Sequence, residues 1–229
     1  MSIWSRFDVL SKMEHVGLCQ TVNAKSVEEY LRIAEALIAG GITNIEILQR
    51  SGKNEIPKIN LDAIYELRKR FPHPIALIGA GTVQTKERAQ AVIDNGAEFV
   101  VSNLTDEGVI ETANLNCVLV IPGARSDADV RTAMRLGCWI VKLFMPFPAL
   151  STKANLAYLA QYRGCFPRME FLLTAGITLD NAFLFINAGY PVLIPGGVVS
   201  PKMVEAREWA KITEMAKNYV DVVAQARKV

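Results

Sequence analysis

The chain has 229 residues, about half of them hydrophobic, and a formal net charge of +2. That is enough apolar material for one large domain or two small ones, and the absence of a basic run, an aromatic-basic stripe or an acidic tail gives no sign of nucleic-acid binding. No uninterrupted apolar segment reaches the length that crosses a bilayer.

The first 13 residues mix Arg6, Asp8 and Lys12 with Trp4, Phe7, Val9 and Leu10, which reads as an amphipathic helix and not as a signal peptide. Gly17-Leu18-Cys19-Gln20-Thr21-Val22 reads as a strand. Ser26-Val27-Glu28-Glu29 has the form of a capping box and opens a helix that Gly40-Gly41 ends. Asn44-Ile45-Glu46-Ile47-Leu48 is the next strand, followed by a helix over 61–70 and a break at Pro72 and Pro74. Ile75-Ala76-Leu77-Ile78 is the third strand, closing on Gly79-Ala80-Gly81-Thr82. Further strands are expected at 99–102, 118–121, 139–144, 170–173 and 192–194. Between them lie helices at 85–96, 106–113, 126–137, 155–162 and 180–187. A helix or helix pair closes the chain over 202–227. About eight strand–helix units with short apolar strands predict a parallel sheet covered by helices, and at this length a closed (β/α)8 TIM barrel over residues 1–229, one domain with an extra N-terminal helix. An open doubly wound sheet is the alternative, but its usual Gly-rich first turn is missing, since the first strand runs into Asn23-Ala24-Lys25. Cys19, Cys117, Cys138 and Cys165 are widely spaced and form no C-x-x-C pair, so they are expected as buried thiols in a reducing cytoplasm. His15 and His73, the only histidines, lie far apart, so no metal site is expected, and no cofactor is called for.

The informative strand is Trp139-Ile140-Val141-Lys142-Leu143-Phe144, five apolar residues and one lysine. Side chains alternate along a strand, so Ile140, Lys142 and Phe144 share a face. Lysine is rarely buried without a partner. An amine in an apolar pocket shifts toward its free base, and a free amine beside a carbonyl compound forms a Schiff base. In such barrels the chemistry sits at the C-terminal ends of the strands. Those ends carry Glu46 and Arg50, Thr82, Ser102, Lys142 and Phe144, Thr174, and the glycines Gly176 and Gly196-Gly197. One account of Glu46 and Lys142 is a buried ion pair, a weak source of stability. The other makes Lys142 a nucleophile, Glu46 its acid–base partner and Arg50 a carboxylate clamp, because perturbed charges cluster at functional sites. Gly176, Gly196 and Gly197 follow the seventh and eighth strands, where barrels often hold phosphate on backbone N–H groups; ordinary tight turns would look the same.

From about residue 17 to 200 the chain resembles the 2-keto-3-deoxy-6-phosphogluconate (KDPG) and 2-keto-4-hydroxyglutarate (KHG) aldolases, class I enzymes. The resemblance rests on the order and spacing of four stretches. They are Ala39-Gly40-Gly41-Ile42-Thr43-Asn44-Ile45-Glu46-Ile47-Leu48-Gln49-Arg50, Ile78-Gly79-Ala80-Gly81-Thr82-Val83, Ile121-Pro122-Gly123 and Val141-Lys142-Leu143-Phe144. It implies cleavage of a 2-keto acid to pyruvate and an aldehyde, without a metal, in a cytoplasmic trimer. By the same resemblance Lys142 forms the Schiff base, Glu46 shuttles protons, Arg50 and Thr82 hold the pyruvate carboxylate, Phe144 walls the pocket and Thr174 touches the hydroxyl end of the substrate.

This chain also departs from the family pattern. Asn23 stands where an arginine is common, and Asn103 where a proline follows the serine of the fourth strand. Thr-Gly-Gly is Thr174-Ala175-Gly176, and Gly-Gly-Ser is Gly196-Gly197-Val198, which removes a hydroxyl donor unless Ser200 substitutes. Phe-Pro-Ala becomes Phe144-Met145-Pro146-Phe147-Pro148-Ala149, in the manner of an insertion. The catalytic core is kept and the phosphate end is weakened, so the expected substrate either lacks a 6-phosphate or presents it differently. An oxaloacetate-type decarboxylase using the same imine, and a non-catalytic sugar-acid binder on this fold, are the rival readings.

Overall fold

The structure is a computed structural model that describes residues 4–50, 56–145 and 151–228. In chain order its elements are α1 (Arg6–Val16), β1 (Gln20–Val22), α2 (Val27–Ala39), β2 (Asn44–Leu48), α3 (Lys58–Arg70), β3 (Leu77–Gly81), α4 (Lys86–Asp94), β4 (Phe99–Val101), α5 (Glu107–Leu115), β5 (Leu119–Ile121), β6 (Gly123–Ala124), α6 (Asp127–Arg135), β7 (Ile140–Phe144), α7 (Thr152–Cys165), β8 (Glu170–Thr174), α8 (Leu179–Asn187), β9 (Val192–Leu193), α9 (Pro201–Glu205) and α10 (Trp209–Ala226). Every strand pairing is parallel, in two runs, β1 to β5 and β6 to β9.

The two runs close into one ring. β5 and β6 are halves of a single stave parted by Pro122, which has no N–H to give a ladder; its carbonyl still accepts from Lys142 N at 2.8 Å. At the other seam Leu18 bridges Leu193, with Cys19 N donating to Leu193 O and Leu193 N to Gly17 O, each at 2.9 Å. The result is the expected eight-stave (β/α) barrel.

Strand parity sorts the core into two layers. Leu77, Phe99, Ile121, Ile140, Leu172 and Val192 point into the barrel and form one buried cluster, joined by Val9 and Met13 of α1. The alternate residues, among them Ile45, Ile78, Val100, Val141 and Leu173, meet the helices in a second, larger cluster. α1 thus plugs the N-terminal end of the barrel. Arg227, just beyond α10, donates to the His15 and Glu14 carbonyls and ties the last helix to the first.

The helix starts follow from capping. Ser26, Thr85, Ser126 and Ser151 each accept from the N–H three residues on. At Ser126 the box is reciprocal through Asp129; at Ser26 it is not, because Glu29 takes its return bond from Lys25 N.

Some boundaries differ from expectation. β3 starts at Leu77 and runs through the glycines to Gly81, because those residues pair one for one with β2, whereas Ile75 is left exposed beside the proline turn. The closing helix is a pair, α9 and α10. Of the four cysteines expected as buried thiols, Cys19 and Cys138 are buried but Cys117 and Cys165 are exposed, since each falls at or just beyond the end of a helix. Most of the expected insertion after Phe144 lies outside the described residues.

Met13 is completely buried at the plugged end. Met13→Ala is expected to cost about 2–5 kcal/mol, read as a lowered urea midpoint. An unchanged midpoint would mean that α1 is not part of the core.

Candidate active site

Lys142 sits at the middle of β7 and Glu46 at the middle of β2, staves on opposite sides of the lumen. Both side chains face inward. Lys142 Nζ lies 3.2 Å from Glu46 Oε1 and 3.5 Å from Oε2. Lys142 is 7% exposed and Glu46 0%. Among the described residues the Glu46 carboxylate has no other hydrogen-bond partner.

Two neighbours explain how that carboxylate fits. Gly81, on the adjoining strand, has no side chain, and a Cβ there would overlap the Glu46 carboxylate itself. Cys19 points into the same interior. Burial pushes its thiol well above its ordinary pKa, the Glu46 charge adds to this, and Lys142 opposes it.

The other buried carboxylate is a useful contrast. Glu98 precedes β4 at the N-terminal end of the barrel. It accepts from Ile78 N at 3.0 Å, pairs with Arg68 at 2.8 Å and faces His73 Nδ1 at 3.6 Å. Its Oε2 takes both the Ile78 N–H and the Arg68 contact, while Oε1 has no hydrogen-bond partner among the described residues. Both oxygens of Glu46 face the single amine of Lys142.

Around the pair, Phe144 is half-buried, with its ring centroid 5.9 Å from Lys142 Nζ. Thr174 is buried and pairs in register with Phe144. Thr82 follows Gly81 directly and holds a left-handed φ of +61°; Ala175, after Thr174, holds +67°. Residues other than glycine pay about 1–2 kcal/mol for that conformation, and both sit at the chemical end of the barrel, where such strain tends to be kept for function.

Arg50 departs from its expected place. β2 ends at Leu48, so parity no longer carries Arg50 inward; it is exposed, and no hydrogen bond or ion pair among the described residues joins it to Glu46 or Lys142. Ser102 is buried and accepts from Leu104 N, a turn-forming role.

The glycine end is also less open than the sequence suggests. Gly196 N–H donates to Ile177 O at 2.9 Å, and Gly176 O accepts from Asn181. Ser200 Oγ accepts from Met203 N as the cap of α9, a helix of only five residues. Gly197, with a left-handed φ of +79°, has open space beside it.

One residue at the mouth had gone unnoticed. Arg125 lies just past β6 with its guanidinium carbon 3.9 Å from the Phe144 ring centroid. Its position between Pro122-Gly123-Ala124 and the capping Ser126 is a signal, since it fixes the side chain at the C-terminal end of a stave.

Residues 9–215 match the family model described as KDPG and KHG aldolase. The 2-dehydro-3-deoxy-phosphogluconate aldolase of Treponema pallidum is 30% identical over 217 residues, covering 94% of this chain and 97% of that protein. The KHG/KDPG aldolase of Escherichia coli K12 is 29% identical over 198 residues, 86% of this chain and 87% of its own. The crystal structure of the KDPG aldolase of Legionella pneumophila, with pyruvate captured at low pH as a covalent carbinolamine intermediate, superposes with a TM-score of 0.77 at 26% identity, covering 90% of this chain and 95% of that one. Barrel, site and relatives together define an aldolase, a lyase of carbon–carbon bonds. Within that class the chain belongs to the KDPG and KHG aldolase family.

Because Gly81 makes room for the Glu46 carboxylate, Gly81→Ala is expected to displace it from Lys142 and lower turnover about 10²-fold, the usual penalty for a displacement of about 1 Å. Steady-state release of pyruvate, with far-UV circular dichroism to confirm folding, measures this. Full turnover in the folded variant would contradict the placement of Glu46.

Proposed function

We propose that this protein is a class I aldolase that cleaves a 2-keto-3-deoxy sugar acid, or 2-keto-4-hydroxyglutarate, to pyruvate and an aldehyde through a Schiff base on Lys142. The observation that carries this reading is a buried carboxylate whose one described partner is a lysine amine at the chemical end of the barrel. Two charges without further bonds are a poor way to stabilise a core, but a suitable way to hold an amine beside a proton acceptor.

The steps follow from that geometry. Lys142 passes its proton to Glu46 and attacks the C2 carbonyl of the substrate. Glu46 gives that proton to the carbinolamine hydroxyl, which leaves as water, so the nitrogen becomes a protonated imine and Glu46 is again a carboxylate. The C3–C4 bond then breaks: its electron pair enters the imine, giving an enamine, and the C4 hydroxyl proton goes to Glu46, directly or through water. Protonation at C3 and hydrolysis release pyruvate and restore the amine. In this reading Thr82 and Arg50 hold the keto-acid carboxylate, with Arg50 swinging in from its exposed position. Phe144 packs against the substrate chain, and Thr174 meets its hydroxyls. Gly176, Gly196 and Gly197 border the far end. The working unit is one barrel domain spanning residues 1–229, in a homotrimer of the cytoplasm. Among the described residues no helix is long and apolar enough to cross a membrane.

The test is pyruvate with borohydride, followed by peptide mass spectrometry. A permanent adduct on Lys142 is expected, and no adduct at any pH that keeps the protein folded would refute the reading. Lys142→Arg is expected to form none, because guanidinium stays charged. Glu46→Gln is expected to lower turnover about 10²–10⁴-fold, the usual range for a general acid–base group. A retro-aldol screen over 2-keto-3-deoxy acids, phosphorylated and not, then assigns the substrate. Decarboxylation of oxaloacetate without any aldol cleavage would favour the rival enzyme reading.

A further inference from the structure

We infer that Arg125 binds the anionic far end of the substrate's aldehyde half, and so takes over on the β6 side of the mouth a task that the glycine turns after β8 and β9 perform poorly here. The inference relies on the Lys142 reading only for where the imine stands.

Arg125 is exposed, one residue beyond β6. Its guanidinium lies over the Phe144 ring at 3.9 Å, and the same ring lies 5.9 Å from Lys142 Nζ. A single aromatic ring therefore links the reacting amine to a fixed positive charge. Stacking holds the planar group in place and leaves its N–H edge open, the arrangement that suits bidentate recognition of carboxylate or phosphate. No carboxylate among the described residues forms an ion pair with it.

Beside it opens a cavity of about 290 Å³, whose walls include Asn103, Thr105, Gly123 and Arg125. Gly123 is the register partner of Lys142, so one wall of this space belongs to the stave next to the lysine strand. Asn103 accepts from Gln84 through its oxygen, which leaves its amide N–H groups as further donors. Two acids, Asp106 and Asp129, also line the cavity, but both are turned to backbone donors: Asp106 to Val109 N, and Asp129 to Arg125 N and Ser126 N. They cap α5 and α6 and do not neutralise the guanidinium.

The opposite side of the mouth lacks these features. Gly196 N–H already donates to Ile177 O, Ser200 Oγ accepts from Met203 N and has only its own O–H to offer, and Val198 carries no hydroxyl. The positive charge lies on the β6 side, with Arg125.

Isothermal titration with non-reacting probes tests the assignment without relying on turnover. Glycerol 3-phosphate and glycolate represent the two anionic ends, phosphate and carboxylate, and glycerol is the neutral control. The wild-type protein is expected to bind at least one anion roughly tenfold or more tightly than glycerol. Arg125→Ala is expected to abolish that preference, and Arg125→Lys to restore part of it. Which anion prevails identifies the end group. Anion preference unchanged in Arg125→Ala, or no preference in the wild type, overturns the inference. In the aldol direction the Arg125→Ala defect is expected in KM for glyoxylate or glyceraldehyde 3-phosphate, and not in KM for neutral glyceraldehyde. Borohydride trapping with pyruvate alone involves no aldehyde. A protein that traps pyruvate but ignores Arg125 therefore fails this inference only, and one that selects anions through Arg125 but traps nothing fails the Schiff-base reading only.

Discussion

The arrangement depends on placing two opposite charges inside a closed ring of strands. Lys142 and Glu46 meet across the lumen at 3.2 Å, from staves 96 residues apart in sequence. Neither charge would be tolerated there alone: removing one partner of such a pair strands the other in a medium that solvates it badly. The barrel must therefore close accurately, with β2 and β7 each in register. Small residues must also stand where the carboxylate rests. Gly81 meets that demand on β3, and Gly123 lets β6 run close against the backbone of Asn103 beside the lysine strand.

The two ends of the barrel divide the labour. At the N-terminal end, α1 fills the opening with Val9 and Met13, and Glu98 is locked by Arg68 and the Ile78 N–H. Trp4 stacks on His73 at 3.8 Å, and Lys12 donates to the Pro74 carbonyl. At the C-terminal end the backbone takes left-handed turns at Thr82 and Ala175. Stability is concentrated at one end and reactivity at the other, the usual division in barrels of this kind.

Much of this was legible from residues alone. Alternation of short apolar strands with capped helices reveals the barrel, because parallel strands buried on both faces read as continuous aliphatic runs. A lysine inside such a run, and a glutamate inside another, announce a polar interior by parity alone. Two details of the ring were not: Pro122 parts the fifth stave into two pieces, and Leu18 closes the ring on Leu193 through a single bridge. The orientation of Arg50 is not given by parity, which holds only while the strand lasts, and β2 stops at Leu48. The exposure of Cys117 and Cys165 depends on helix ends, where boundaries are least certain. Arg125 carries no periodic signal at all. Its significance comes from a ring nineteen positions further along the chain, a contact that only the folded chain reveals.

Cys19 lends the interior one more property. An enzyme that makes or consumes aldehydes exposes its own nucleophiles to them, and a thiolate beside the reacting carbon would trap such a product as a hemithioacetal. Burial and the adjacent Glu46 charge keep this sulfur protonated, and a protonated thiol is a poor nucleophile. Of the nucleophile-bearing side chains in the lumen, the sulfur is thus disarmed by burial and by the Glu46 charge.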